Sequence, residues 1–139
     1  WHLNIQGLTS HAAELTARIR LAQNQSDVIC CNETFLDISV GAVPIEGYVE
    51  IARWDRGAGV GRGGVAVYAS TAIAPNATPV HTSSQAERLW LIIHTERGHF
   101  FIGAWYRPTS NELFSIQHLR NRARKTCLGS HGDGARGGR

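Results

Sequence analysis

The stretch VICCNETFL, residues 28–36, gives the clearest indication of the fold. Residues 27–32 read as a buried strand, and the carboxylate of Glu33 follows directly at its end. An isolated glutamate in such a place most often marks the point where a strand meets solvent. Whether Glu33 has a chemical role therefore depends on what the rest of the chain places beside it.

The length and composition of the chain are those of one globular domain. It has 139 residues, of which 42% are hydrophobic and 18% are charged, unlike the composition of disordered chains. The net charge of +3 leans slightly toward polyanionic partners but does not by itself indicate nucleic acid. No run approaches the ~20 apolar residues that a membrane span requires, so no membrane association is predicted.

The chain start and the cysteines bear on its origin. The sequence contains no methionine and opens on Trp1, which predicts a fragment, a processed product or a partial gene product. Cys30, Cys31 and Cys127 show no CxxC spacing, so we expect small buried residues in a reducing compartment, not a disulfide framework or a metal site. No signal peptide is visible, and we expect a nuclear or cytoplasmic location over secretion.

The order of predicted elements is one strand–helix–strand unit followed by strands in succession. Residues 1–5 form a short strand, and Thr9 or Ser10 is expected to cap a helix with one apolar face. Further strands are predicted at residues 48–53, 65–70, 88–95 and 99–106, and the short turn with Gly98 predicts that the last two form a hairpin. A second helix is predicted after a capping-box pair at Thr109 and Glu112. This order predicts an α/β fold with mixed or antiparallel sheets.

The apolar pattern ends after Lys125, where the sequence becomes rich in glycine and arginine. We therefore expect a folded part at residues 1–125 and a disordered tail at residues 126–139.

A glycine-rich stretch at residues 57–64 matches a nucleotide-binding pattern only superficially. Gly59, Gly61 and Gly64 fit G-x-G-x-x-G. A dinucleotide fingerprint needs a helix after these glycines, but the strand-like VAVYAS follows here. We interpret the stretch as a loop that ends in a glycine packing position at the start of a strand.

Two polar side chains stand at the ends of the strands that flank the first helix. Asn4 closes the first strand and Glu33 closes the second. In a right-handed crossover the two strands are parallel, so both ends open on one edge of the sheet, where ligands bind in open α/β folds. An amide and a carboxylate at that edge suit Mg²⁺, which takes few protein oxygens.

Five stretches in order resemble one protein family. They are WHLNIQGL, VICCNETFL, RWDRGAGVGRGGVAVY, ERLWLII and IGAWYRPTS, and with them the resemblance covers residues 1 to about 119. Together they resemble the endonuclease/exonuclease/phosphatase family, and most closely the apurinic-type endonuclease domain of non-LTR retrotransposons.

The resemblance implies a fold, a reaction and three site residues. The implied fold is a four-layered α/β sandwich with mixed β-sheets flanked by helices, present here only in part because the C-terminal half is missing. The implied activity is cleavage of DNA phosphodiesters with Mg²⁺ or Mn²⁺. Residue by residue, Asn4 matches an active-site asparagine that is a weaker metal ligand, Glu33 matches the metal-binding glutamate, and Tyr106 matches a tyrosine that contacts the phosphate region.

Several expected motifs of the family are absent. A Gly-Asp-x-Asn strand end, a further acid and a terminal Asp-His pair are missing, and Gly132-Asp133 lacks both the preceding strand and the following asparagine. We therefore expect that this chain alone is not a working enzyme. The missing half is also expected to supply the second sheet, which would leave VAVY, LWLII and FFIGAW with one apolar face uncovered and the chain prone to aggregation.

Two other interpretations stay open. The chain could belong to a sphingomyelinase-like or inositol-phosphatase-like phosphoesterase of the same superfamily, or it could be a non-catalytic remnant. The stretches around Asp55 and Tyr106 favour the retrotransposon type. A downstream reverse-transcriptase reading frame would support that interpretation.

Overall fold

A computed structural model of the chain describes residues 1–57, 62–80 and 88–106. The predicted second helix, the tail and the boundary between residues 125 and 126 lie outside these residues. The described part contains one α-helix and seven strands, and a 3₁₀ turn at Ala74–Asn76. In chain order they are β1 (His2–Asn4), α1 (Leu8–Leu21), β2 (Val28–Asn32), β3 (Tyr48–Trp54), β4 (Val65–Ser70), β5 (Ala77–Val80), β6 (Arg88–Thr95) and β7 (Gly98–Trp105).

The first sheet is mixed, as the order of elements predicts. Its strand order is β1-β2-β4-β3. β1 and β2 run parallel, because α1 connects them as a crossover, and the other two pairings are antiparallel. The predicted parallel arrangement of the strands that end in Asn4 and before Glu33 is therefore confirmed.

A second, antiparallel sheet is formed within the same residues by β5, β6 and β7. This finding corrects the expectation that the second sheet comes from a missing half of the protein. The predicted hairpin between β6 and β7 is confirmed, with His94 opposite His99 and Thr95 opposite Gly98. β5 had no clear sequence signal, because it is a four-residue strand that contains Pro79. Proline is tolerated there because β5 lies at the edge of the sheet.

The side chains of β2 and β4 divide between two cores. On one face Ile29, Cys31 and Tyr68 pack with the helix residues Leu15 and Ile19. The opposite face, between the two sheets, buries side chains of both. That second cluster comprises Cys30, Val65, Val67, Leu89, Leu91 and Ala104. Burial on both faces explains why these strands read as continuous apolar runs without alternation.

The prediction that VAVY has an uncovered face is wrong, since residues 65–69 of β4 are all buried. In the second sheet, Phe101 is 52% and Trp105 is 48% exposed. These residues alternate along β7 with Ile102 and Ala104, which face the core between the sheets. The described fold is thus mixed α/β with two sheets and one helix.

The start of α1 differs from the predicted cap at Thr9 or Ser10. The helix begins at Leu8, after Gly7 with φ of 108°, and no side chain caps it. Instead the N–H groups of Gly7 and Leu8 donate to the carbonyls of Glu33 and Thr34, at 2.9 and 2.8 Å. These bonds satisfy donors that a helix start leaves unpaired. They also join α1 directly to the loop that follows β2.

Candidate functional site

The ends of β1 and β2 lie side by side. Asn4 is the register partner of Asn32, and the N–H of Ile5 donates to the carbonyl of Asn32 at 2.9 Å. Register partners on neighbouring strands carry their side chains on the same face. Asn4 is exposed and Asn32 is 7% exposed, so the edge combines one accessible amide with one buried amide.

Backbone strain is concentrated at this edge. The non-glycine residues with positive φ in the described chain are Gln6, Glu33 and Phe35, at 48°, 54° and 55°. Each left-handed residue of this kind costs about 1–3 kcal/mol and persists only where its surroundings hold it, most often at functional sites. The half-buried Glu33 therefore has a backbone geometry that the neighbouring segments impose.

The loop around Glu33 is held from two sides. From one side, the amides of Gly7 and Leu8 donate to its carbonyls. From the other, the carbonyls of Gly63 and Gly64 accept from the N–H groups of Phe35 and Thr34, at 3.0 and 3.4 Å. The end of the glycine-rich stretch thus supports the loop through carbonyl oxygens. Gly59 and Gly61 lie outside the described residues.

Gly64 could not be replaced by a larger residue without distortion. Its φ is +87°, and a Cβ atom would lie 2.4 Å from the Thr34 hydroxyl oxygen. This contact agrees with the prediction that close packing at the start of the strand requires a glycine here. The close approach brings β4 against the residue that follows Glu33.

The side chain of Asn32 joins the two sheets at the same edge. Its Nδ2 donates to the carbonyl oxygen of Trp105 at 3.0 Å and lies 3.0 Å from Nε2 of His2. Because a carbonyl only accepts, this contact fixes the orientation of the amide, and Nε2 of His2 then accepts. Oδ1 of Asn32 is buried and accepts no hydrogen bond within the described residues. Oδ1 of Asn32 is therefore an acceptor of fixed orientation in the residue next to Glu33, with no hydrogen-bond donor among the described residues.

Tyr106 is brought to this edge through its neighbour. It follows Trp105, the residue whose carbonyl accepts from Asn32. Tyr106 is half-buried and packs against the core between the sheets. The structure thus gathers Asn4, Glu33 and Tyr106 at one end of the two packed sheets, although they are distant in sequence.

Sequence reasoning missed two members of this cluster, His2 and Asn32. The period of two in a strand places His2 on the same face as Asn4. The register partner of His2 is Cys30, two residues before Asn32. The alternation of side chains along each strand therefore already indicated which face His2 and Asn32 lie on. Only the parallel register of β1 and β2 shows that the two residues lie together.

The atoms at this edge suit a hard cation better than a soft one. The donors are a carboxylate and amide oxygens, and Oδ1 of Asn32 has no partner in the described chain. Within residues 1–57, 62–80 and 88–106, no group of three or more His, Cys, Asp or Glu side chains could hold a metal ion. The set fits Mg²⁺ or Mn²⁺ completed by water and phosphate oxygens, and does not fit a zinc site.

A groove of about 330 Å³ runs beside Asn4, between β1 and α1. Its lining includes Trp1, Leu3 and the ion pair between Glu14 and Arg18, with Nη2 and Oε1 2.6 Å apart. Both charged side chains are more than half exposed, so the pair contributes little to stability.

The stretch that contains Arg53 and Asp55 has a structural role in the described fold. The guanidinium of Arg53 is 3.0 Å from the Asp55 carboxylate and donates to the carbonyls of Val40 and Gly41. Its side chain is only 15% exposed. Arg53 therefore attaches the loop after β2 to the end of β3.

Two buried groups are held in their neutral forms. Burial, with a smaller effect of Cys30, raises the pKa of the Cys31 thiol to about 12. Burial, with Glu50 as the next cause, raises the pKa of Tyr68, whose hydroxyl donates to the carbonyl of Val43 at 3.1 Å. The expectation that Cys30 and Cys31 are buried and unpaired is confirmed. Cys127 lies outside the described residues.

No protein-family model matches the chain, and no curated protein matches its sequence. In the part of the chain that the structure describes, no helix is long and apolar enough to cross a membrane.

Proposed function

We propose that the chain is the N-terminal part of a Mg²⁺- or Mn²⁺-dependent phosphodiesterase, and specifically of a DNA endonuclease of the retrotransposon type. The observation that carries the proposal is the meeting of Asn4, Asn32 and Glu33 at the carboxyl edge of two parallel strands. The bond from Asn32 to Trp105 brings the end of β7 to the same edge. Ligands of α/β sheets bind at edges of this kind.

Glu33 is the proposed cation ligand. The loop that carries it is held by backbone hydrogen bonds on both sides, so the backbone position of Glu33 is fixed before a cation binds. Asn4 supplies a weaker oxygen ligand, and Tyr106 donates to the phosphate region. The cation, when bound, would neutralise the charge that develops on the phosphate. A site formed at strand ends is held more accurately than one carried on free loops.

The proposal that the substrate is DNA and not a small phosphoester rests on the amino-acid sequence. The stretches RWDRGAGVGRGGVAVY and IGAWYRPTS resemble the retrotransposon endonucleases, and the net charge of +3 is compatible with a polyanionic substrate. The four-layered sandwich of that family is likewise part of the proposal, with the two sheets and α1 as three of its layers.

The proposal is tested in the longer protein that contains this domain. We expect Glu33→Gln, which keeps the shape and removes the charge, to lower Mg²⁺-dependent nicking of supercoiled plasmid by about 10²-fold or more. Asn4→Ala should give a smaller loss. The matched control is Glu46→Gln, since Glu46 is an exposed glutamate paired with Arg20.

The outcome is judged on folded protein, with circular dichroism and melting temperature compared for all variants. If Glu33→Gln nicks DNA at the wild-type rate, Glu33 is not the cation ligand and the proposed site is wrong. If all variants are equally active on a lipid or inositol phosphoester and inactive on DNA, the substrate class is wrong.

A further inference from the structure

Two histidines face each other at the turn of the β6–β7 hairpin. His94 and His99 are register partners, and their Nδ1 atoms are 3.1 Å apart. The ring centroids are 4.7 Å apart with an interplanar angle of 77°. Both side chains are exposed. Neither residue belongs to the candidate phosphodiesterase site.

The separation of the two nitrogens matches the bite of a chelating pair. Imidazole nitrogen binds Zn²⁺ at about 2.0–2.1 Å, so two nitrogens 3.1 Å apart would subtend roughly 100° at a shared ion. This angle lies between the octahedral and tetrahedral values. The rings meet edge to face and do not stack. The hydrogen bond between the two Nδ1 atoms is replaced by the shared ion when both nitrogens bind it.

The hairpin holds the two rings in this relation. The ladder continues to the last pair, Thr95 and Gly98, and the Thr95 hydroxyl donates to the carbonyl of Gly98 at 2.8 Å. Gly98 takes a φ of 136° in the turn, which a residue with a side chain rarely adopts. The strand positions therefore fix both Cα atoms before any ion binds, which lowers the entropic cost of chelation.

We propose that His94 and His99 form a two-histidine binding site for a late first-row transition ion such as Zn²⁺, Ni²⁺ or Cu²⁺, with water in the remaining positions. Nitrogen donors favour these ions over Mg²⁺, so the site does not compete for the cation of the oxygen-rich edge. β7 has eight residues, which separates the two places by about 20 Å. The two proposals can therefore fail independently.

The test is a Zn²⁺ titration of the 139-residue chain labelled with ¹³C-histidine and followed by NMR. The Cε1–H signals are assigned with single His→Gln variants. We expect the signals of His94 and His99 to shift together at the lowest Zn²⁺ concentrations, before those of the other five histidines. His94→Gln and His99→Gln should each weaken binding by about 10-fold or more, because one tethered ligand is lost.

A matched control keeps the number of histidines and changes only their register. In the double variant His99→Gln/Phe101→His, the new ring lies opposite Ile92 and diagonal to His94. Diagonal neighbours are about 7–8 Å apart, against about 5 Å for direct pairs. We expect this variant to bind Zn²⁺ as weakly as His99→Gln, and His118→Gln to bind like the wild type.

Two results would overturn the proposal. One is binding by the register variant that equals the wild type, which would show that any exposed pair of histidines suffices. The other is a simultaneous shift of all histidine signals, which would mean adventitious ion binding only.

Discussion

Nδ2 of Asn32 donates a hydrogen bond to the carbonyl oxygen of Trp105 at 3.0 Å, across 73 residues of sequence. The bond links the first sheet to the second next to Glu33. It joins a side chain that is 7% exposed to a backbone acceptor at the end of β7. This buried amide thus helps to fix the position of Tyr106 relative to Glu33, together with the packing of Tyr106 on the core between the sheets.

This relationship predicts that Asn32→Asp is more harmful than Asn32→Ala. Alanine loses the hydrogen bond and leaves the Trp105 carbonyl without this donor, at a cost of about 1–3 kcal/mol in the free energy of unfolding. Aspartate places a buried charge against that carbonyl, so at neutral pH it should cost more. Urea unfolding at pH 7 measures both.

A substitution of the exposed Asn24 by aspartate is the control and should change stability by less than about 0.5 kcal/mol. Equal stability of Asn32→Asp and the wild type would show that the contact with Trp105 does not connect the sheets.

The sequence was sufficient for β2, the parallel crossover and the β6–β7 hairpin because each has a strong local pattern. These local patterns are the apolar run before Glu33, the helical spacing of Leu15 and Ile19, and the high β-propensity of RLWLIIHT. The right-handed crossover then places the C-terminal ends of β1 and β2 on the same edge of the sheet.

Other features depend on contacts that no local pattern contains. α1 begins at Leu8 because the carbonyls of Glu33 and Thr34 replace a side-chain cap. The second sheet covers β4 because β5–β7 fold back on it, and this was not evident from the composition of any one strand. The roles of His2 and Asn32 depend on a register that only the structure provides.

Gly64 provides the second prediction. Gly64→Ala should lower the free energy of unfolding by about 2 kcal/mol or more, because alanine at a φ of +87° is strained and its Cβ would meet the Thr34 hydroxyl. Adding Thr34→Ala removes the clash but not the strain, so the double variant should recover only part of the loss.

The matched control is Gly41→Ala, where nothing lies within 4 Å of the added Cβ. Thermal unfolding of the four proteins checks the series. If Gly64→Ala melts at the same temperature as Gly41→Ala, the close packing of β4 against the Glu33 loop is not present in solution.

Cys31 provides a prediction on pH. Burial raises the pKa of its thiol from 9.0 to about 12, so the folded chain keeps a proton that the unfolded chain releases. Stability must then decrease as the pH rises from about 9 to about 12 and is unaffected by this group below about 9. The slope for one group is at most about 1.4 kcal/mol per pH unit.

Cys31→Val fills a similar volume and has no proton to release. We expect its urea midpoint to decrease less than that of the wild type between pH 8 and pH 11. Parallel curves for the two proteins would show that Cys31 is accessible to solvent in the folded chain.

The last prediction concerns catalysis by the 139-residue chain itself. With Mg²⁺ present it should fold and yet nick no supercoiled DNA. Folding is expected because both faces of β4 are covered. Inactivity is expected because the family that the sequence resembles uses further acids and an Asp-His pair, and these motifs are absent from the 139 residues.

Loss of one such group commonly costs about 10²-fold in rate, and the losses of several leave little to measure. The assay compares the wild-type chain, its Glu33→Gln variant and a sample with EDTA, each first shown to be monomeric and to melt cooperatively. All three samples should show the same background level of DNA nicking. Nicking that EDTA and Glu33→Gln both abolish would contradict the prediction and would mean that the chain supplies catalytic groups beyond Asn4, Glu33 and Tyr106. Asp133 would then be the first residue to replace.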